Sequence, residues 1–478
     1  MNNDGQKIAM RGICRLLLAQ ILFMLASTSY GDTLTVTNLF SFGVAPNAWG
    51  PGDTPTLYTN GIFYSTTPGG GPMGNGTIYR ITSNGIFNAI FYFSYTNGSI
   101  PKGGLVVGND GNLYGTTSSG GAPNSADDNC GTVFRATISG DFISLATFNG
   151  QNGYSPQGRL IQAADGLFYG TTYLGGDGYH QTSYPYTMGS GTIFSVTTNG
   201  VLNRLFSFSS TNGANPCGAL LEVTNGLFYG TTSSGGLGGA GTIFQITSSG
   251  DLTTLVNFNG ANGSGPQAGL TRGKDGCFYG TTSGGGLYGD GTIFRLNTDG
   301  ILTTLFSFSG QQYDGANPYD ELLQGPDGYL YGTTLNGGAY NLGVVFQASP
   351  LGNATTLYSF HYDFALPRDG GQPYGGLIKL SDGYIYGTAK GGGDHGGGTF
   401  FRFPIPPTPN IVRQSDKSMK LKWCSVIGGQ YQLQYKTNLF SSAWMNIGGI
   451  IGATNVIVET EDSASFDFQR YYRVILSQ

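Results

Sequence analysis

Charge is scarce in this chain. Asp, Glu, Lys and Arg together make up 10 % of its 478 residues, and the formal net charge is −5. A nucleic-acid binder needs a basic face, and 22 Lys and Arg against 27 Asp and Glu imply none. Histidine is rarer still, with three residues, and the five cysteines are widely separated. No Cys-x-x-Cys or other ligand spacing occurs, so a zinc site has no support. No apolar run reaches the ~20 residues that a membrane helix takes. The longest, "LLLAQILFMLA" at 16–26, has eleven. It follows Lys7, Arg11 and Arg15 and precedes the small residues of "STSYGD". That is the layout of a secretory signal cleaved near Gly31; an uncleaved anchor is the other reading. Residues 1–31 are therefore expected to direct export, leaving a secreted or envelope protein that does not span the membrane. Export permits disulfides, and Cys217 and Cys277 could pair, but scattered small core residues are the simpler account of the cysteines.

Glycine and aromatic residues are abundant. There are 83 glycines, and Phe, Trp and Tyr make up 13 % of the chain. So much glycine can mark disorder, yet disordered chains are poor in aromatics, so the glycines are assigned to tight turns. The segment "GLFYGTT" occurs at 166–172 and again at 226–232. Five variants accompany it: "GIFYSTT", "GNLYGTT", "GCFYGTT", "GYLYGTT" and "GYIYGTA". Their tyrosines are Tyr64, Tyr114, Tyr169, Tyr229, Tyr279, Tyr331 and Tyr386, and each interval is close to that between Tyr64 and Tyr114. Repeats of this period indicate a propeller or solenoid.

Each unit reads as four short strands. In the fourth they are "GALLEV", "LFYGTTS", "GTIFQIT" and "LTTLVNF", here called a, b, c and d. They are rich in β-branched and aromatic residues, and Asn-Gly or Asp-Gly stands at the a–b and c–d turns. The distance from the c-strand aromatic to the end of d never changes; Phe244 to Phe258 is one example. The distance from the a-strand Leu to the b-strand Tyr is likewise constant in units two to seven, as from Leu220 to Tyr229. All length variation falls in the b–c and d–a connections, which emerge at one end of an up-down sheet. That end is the candidate functional face, since binding residues favour loops on a rigid scaffold.

The ends of the array complement each other. The sequence "LTVTNLFSF" at 34–42 is a d-type strand without a unit of its own, and the seventh unit stops after c at Pro404, Pro406 and Pro407. The expected fold is all-β: a seven-bladed β-propeller over 32–403, closed by the N-terminal strand. A proline-rich linker follows at 404–410. Alternating apolar and polar residues at 411–478, including "SMKLKW", "QYQLQYKT" and "RYYRVIL", suggest a small β-sandwich. Its "YYRV" resembles a strand of fibronectin type III-like modules, which implies a spacer or adhesive unit.

The unit "DGxLYGTTxxGG…GTIFRIT…LTTLFSF" resembles the Gloeo/Verruco (GloVer) tandem repeat of exported bacterial proteins, over residues 34–403. The resemblance implies a bacterial exported protein and assigns no chemistry. The first unit departs from the pattern, with Ser65 in place of Gly and Pro55 at the a-strand Leu position.

Candidate ligand-binding residues lie in the variable loops: Asp127 and Asp128 ("SADDNC"), Asp177, Tyr179 and His180 ("GGDGYH"), Tyr184 and Tyr186 ("SYPY"), and Asp394 and His395 ("GGGDHGGG"). Tyrosines with small polar neighbours suit sugars or peptides. The plain alternatives are a self-packed Ω-loop and solvated polar tips. Their spacing matches no metal or catalytic motif, so no cofactor, metal ligand or catalytic residue is assigned. Three functions remain open: non-enzymatic recognition of a glycan or protein through this face, an extracellular polysaccharide lyase or hydrolase using its Asp and His, and a purely structural envelope protein.

Overall fold

The computed structural model describes residues 34–44, 48–121, 129–180, 187–311, 314–361, 369–407, 409–413, 418–426, 428–437, 443–455, 457–462 and 470–477. The chain divides into Met1–Leu34 and Thr35–Gln478. The signal segment at 1–31 lies outside the described residues, and no described helix is long and apolar enough to cross a membrane.

The protein is all-β with a propeller-like arrangement. Its described residues form seven antiparallel sheets over 37–404, numbered here by their b strands. Sheet four is representative, with strands Leu221–Thr224, Leu227–Thr232, Thr242–Thr247 and Leu252–Asn257 side by side in chain order. The others span 56–92, 105–147, 161–207, 271–307, 323–359 and 378–404. Sheet six gains one further strand, Gly315–Pro318. In sheet seven the outer strand is Thr37–Ser41, paired antiparallel with Thr399–Pro404 from the other end of the array.

The fixed spacings have a packing cause. The Phe that ends each d strand packs tilted or edge-on against the c-strand aromatic of the next sheet. The pairs are Phe93–Phe134, Phe148–Phe194, Phe208–Phe244, Phe258–Phe294, Phe308–Phe346 and Phe360–Phe401, with ring centroids 5.0 to 5.4 Å apart. The seventh is Phe42 on Tyr79, at 5.4 Å, which joins the N-terminal strand to sheet one. Such pairs add about 0.5–1.5 kcal/mol each beyond the area they bury.

The recurring phrase is explained the same way. Its Tyr packs on the aromatic preceding Tyr in the following sheet, stacked for Tyr114 on Phe168 and tilted for Tyr169 on Phe228, Tyr229 on Phe278 and Tyr386 on Phe63. In five sheets the Tyr hydroxyl donates to the Asp of the a–b turn four residues earlier, as Tyr169 does to Asp165 at 2.7 Å. The turn glycine after that Asp takes a left-handed conformation, as at Gly276 with φ 82°. The last Thr pairs with the first Thr of strand c, as Thr232 does with Thr242 at 2.8 Å. The Gly of the phrase lies under the c-strand Phe. A Cβ on Gly280 would stand 2.6 Å from Phe294 Cζ. Gly280→Ala is therefore expected to cost about 1–3 kcal/mol by overpacking, read as a lower urea midpoint at unchanged m.

After the array, two three-stranded sheets face each other over a shared core. One holds Asn410–Arg413, Met419–Cys424 and Ile457–Asp462; the other holds Gln430–Lys436, Met445–Gly452 and Tyr471–Ser477. Leu421, Trp423 and Val458 meet Tyr431, Leu433 and Val474 in that core. The a–b turn of sheet seven abuts this unit, with Gly383 close against the Ser425 carbonyl and Val426.

Candidate functional site

Each first strand is entered through a Pro-x-x-x segment. These read PGDT, PKGG, PQGR, PCGA, PQAG, PYDE and PYGG at 51–54, 101–104, 156–159, 216–219, 266–269, 318–321 and 373–376. The third residue is mostly Gly or Ala because the segments crowd one another. A Cβ on Gly103 would stand 2.5 Å from the Gly158 carbonyl oxygen, and one on Gly158 2.7 Å from that of Gly218. Gly375 stands in the same relation to Asp53, where a Cβ would approach the carbonyl oxygen to 2.6 Å. Phrase threonines tie neighbouring segments together. Thr231 donates to Ala268 O at 2.7 Å, and Thr388 of sheet seven donates to Asp53 O at 3.1 Å.

The second residue varies: Gly52, Lys102, Gln157, Cys217, Gln267, Tyr319 and Tyr374. All seven line one cavity of about 170 Å³, with Pro68 and Lys390 from the exits of b strands. Tyr319 and Tyr374 pack at 4.3 Å, and Lys390 Nζ lies 5.3 Å from the Tyr374 ring centre. The Cys217 thiol donates to Gln267 at 3.2 Å, and burial pushes its pKa up to about 12, so it is no nucleophile. All four described cysteines are free thiols.

Charge enters where small residues would otherwise stand. Asp53 and Asp320 hold the third position, and Arg159 and Glu321 the fourth. Gly104 and Gly376 make room, since a Cβ on Gly104 would land on the Asp53 carboxylate and one on Gly376 would be 3.3 Å from Asp320. Arg159 Nη2 of sheet three meets Glu321 Oε2 of sheet six at 3.3 Å. Thr54 of sheet one donates to Asp320 Oδ2 at 3.2 Å and accepts from Gly376 N at 2.9 Å. The cluster thus joins sheets that are not neighbours in the array. Burial, then the negative charge of Asp320, raises the Asp53 pKa well above the ordinary carboxyl value. Burial, then Glu321, raises Asp320 to about 6.

Sheet one carries a second departure. Asp53 Oδ2, Ser65 Oγ and Tyr79 OH are buried without hydrogen-bond partners. Ser65 and Tyr79 face each other across paired strands, at the positions where other sheets hold Gly and Phe. Buried polar atoms without partners are costly, and sheet one holds three of them. Among the described residues no group of His, Cys, Asp or Glu could hold a metal ion.

The Gloeobacter/Verrucomicrobia repeat matches residues 50–274, 176–312 and 223–420, most of the chain. The chain belongs to the Gloeobacter/Verrucomicrobia repeat family. No curated protein matches its sequence. Among solved structures, a PL25 ulvan lyase has 10% sequence identity over 78% of this chain and 96% of its own, with a TM-score of 0.43. A second polysaccharide lyase is 12% identical over 79% and 98%, at 0.42. A gluconolactonase from Xanthomonas campestris is 12% identical over 80% and 96%, at 0.38. Likenesses this distant give no chemistry.

In this Gloeobacter/Verrucomicrobia repeat protein none of the described loop residues singled out from sequence lines the cavity. Asp177 is exposed and pairs with Arg204 at 2.7 Å. Tyr179 is buried in the space left by Gly150, beside Tyr154 at 6.1 Å. His180 is exposed in a two-residue strand that pairs with Thr187–Met188. Asp394 accepts from Ser41 Oγ at 3.3 Å, and His395 is exposed beside it. Asp127, Asp128, Tyr184 and Tyr186 lie outside the described residues. The described five thus fall in two separate loops, after the b strands of sheets three and seven. Sequence reasoning missed Asp53, Arg159, Asp320, Glu321, Tyr319 and Tyr374. Laying the seven Pro-x-x-x segments in register exposes them, because charge then stands out against Gly and Ala.

Proposed function

We propose that this is an exported, non-enzymatic recognition protein that binds a glycan in the axial cavity. In this reading the seven sheets are the blades of one propeller, closed by strand 34–42, and a fibronectin type III-like module follows linker 404–410. Export rests on the pattern of residues 1–31. The observation that carries glycan binding is the cavity lining, where the Tyr319–Tyr374 pair stands beside carboxyl, amide and cationic groups. Aromatic faces cover the apolar side of a sugar ring, while fixed polar groups take its hydroxyls. The glycan array is the test. Tyr374→Ala should weaken the strongest binding at least tenfold with unchanged melting temperature. Parent-like binding by that variant, or binding lost on changing Asp177 and His180 instead, would overturn the assignment.

One observation favours a second reading, a polysaccharide lyase or hydrolase. Asp53 is held toward its protonated form beside Asp320, and carboxyls driven apart in pKa are the usual basis of acid–base chemistry. Recognition is preferred because Glu321 is tied to Arg159 and Asp320 to Thr54. New reducing ends or unsaturated products from bound glycans, lost in Asp53→Asn, would decide for catalysis.

A further inference from the structure

We infer that the glycan is acidic, and that its carboxylate or sulfate is held between Lys102 and Lys390 at the axial cavity. This rests on the glycan reading and narrows it to one class of polymer. The two lysines occupy positions where the array otherwise places uncharged residues. Lys102 is the second residue of its Pro-x-x-x segment, a place held elsewhere by Gly, Gln, Cys or Tyr. Lys390 follows the b strand of sheet seven, where the other units have Pro68, Ser118, Tyr173, Ser233, Ser283 and Leu335. They belong to sheets two and seven, on either side of sheet one, and both line the cavity.

Among the described residues neither lysine has a carboxylate partner. Other cations of the chain do: Arg204 has Asp177, Arg295 has Asp275, and Lys420 and Lys422 share Glu459. The two charges also feel each other, since burial and then the charge of Lys390 lower the Lys102 pKa. A pair of neighbouring cations without a counter-ion gains from an anion placed between them.

The carboxyls of the same cavity do not cancel this preference. Glu321 is neutralised by Arg159, which also acts on Asp320, Asp320 accepts a hydrogen bond from Thr54, and Asp53 is held toward its uncharged form. They are left to bind hydroxyls. Tyr374 stands next to Lys390, so the ring and the acidic group of one sugar unit can be met together.

Two pairs of polymers that differ only in charge test the inference on the full-length protein. These are polygalacturonate against its fully methyl-esterified form, and dextran sulfate against dextran. The acidic member of at least one pair should bind at least tenfold more tightly than its neutral partner, with affinity falling as NaCl rises. The pair that responds tells carboxylate from sulfate. Lys102→Gln with Lys390→Gln should abolish the difference without changing the melting temperature. Lys420→Gln with Lys422→Gln should leave it intact. Equal binding of acidic and neutral partners, or a difference that survives loss of Lys102 and Lys390, overturns the acidic ligand while sparing the glycan reading. Failure of all four polymers and of every arrayed glycan overturns both.

Discussion

Removal of residues 34–42 is expected to abolish cooperative folding of the whole array, not of sheet seven alone. The segment supplies Thr37–Ser41 to the edge of Thr399–Pro404, and its loss leaves that edge open. Phe42 is fully buried, and Phe40 stacks on Phe87 of sheet one at 4.6 Å. Losing the fully buried Phe42 and the partly buried Phe40 costs on the order of 2–5 kcal/mol, and Leu39 and the ladder bonds add to it. That total rivals the ~5–15 kcal/mol by which native proteins are stable. The consequences pass beyond the last sheet because Phe42 is also the only one of the seven junction rings that joins the two ends of the array. The truncated protein should lose its sharp calorimetric transition and aggregate through the uncovered strand. A synthetic 34–44 peptide added during refolding should restore part of the transition. A truncated protein that melts like the parent would show that the array does not depend on joining its ends.

The sheet pattern was legible because packing repeats itself in letters. The constant interval that runs from Phe244 to Phe258 in sheet four marks one ring that faces the preceding sheet and one that faces the next. Tyr, Gly and Thr of the phrase recur because each meets the same neighbour in every sheet. The axial cluster was not legible by the same means. Attention to what recurs passes over Asp53, Arg159, Asp320 and Glu321, each of which occurs at its position in one or two units only. Arg159 and Glu321 come from distant units of the sequence, and only the folded array brings them together. The loop residues show another limit of local reading. Tyr179 turns inward because Gly150 leaves space for its ring, while Asp177 and His180 beside it are exposed. Whether a loop tyrosine faces a ligand or its own scaffold depends on contacts that local sequence does not encode.

Arg159→Ala is expected to be the most damaging point substitution in the molecule, and its damage should depend on pH. Arg159 lies between Glu321, Asp53 and Asp320, and all three acidic groups act on it. Removing one partner of a buried ion pair typically costs about 3–5 kcal/mol, because the remaining charge keeps its desolvation penalty; the Arg159 and Glu321 side chains keep 30% and 27% of their exposure, which places this pair at or below the lower end. Here Glu321 and Asp320 would share that penalty, and Asp53 would be pushed further toward its protonated form. The pH dependence follows from the sign of the Asp320 shift. Its folded-state pKa, about 6, lies above the ordinary 3.8, so the fold disfavours the ionised form. That penalty is present above pH 6 and is relieved as the pH falls from about 6 toward 3.8. A displacement of this size corresponds to about 3 kcal/mol. The parent should therefore gain stability from this group on acidification from pH 7.5 to 5. The gain ends near pH 4, where the stabilisation from Asp110 begins to be lost. Against the upward push of its partial burial, hydrogen bonds from Asn112 and Tyr114 hold the Asp110 pKa low. Arg159 lowers the pKa of both Asp53 and Asp320, so its removal should move their protonation to higher pH and enlarge the gain. The difference in urea midpoint between parent and Arg159→Ala should be large at pH 7.5 and much smaller at pH 5. Arg159→Met combined with Glu321→Leu, which removes both charges, should come closer to the parent at either pH. A penalty that stays constant across this range would mean that Arg159 acts through its packing, and that the axial carboxyls carry no charge for it to balance.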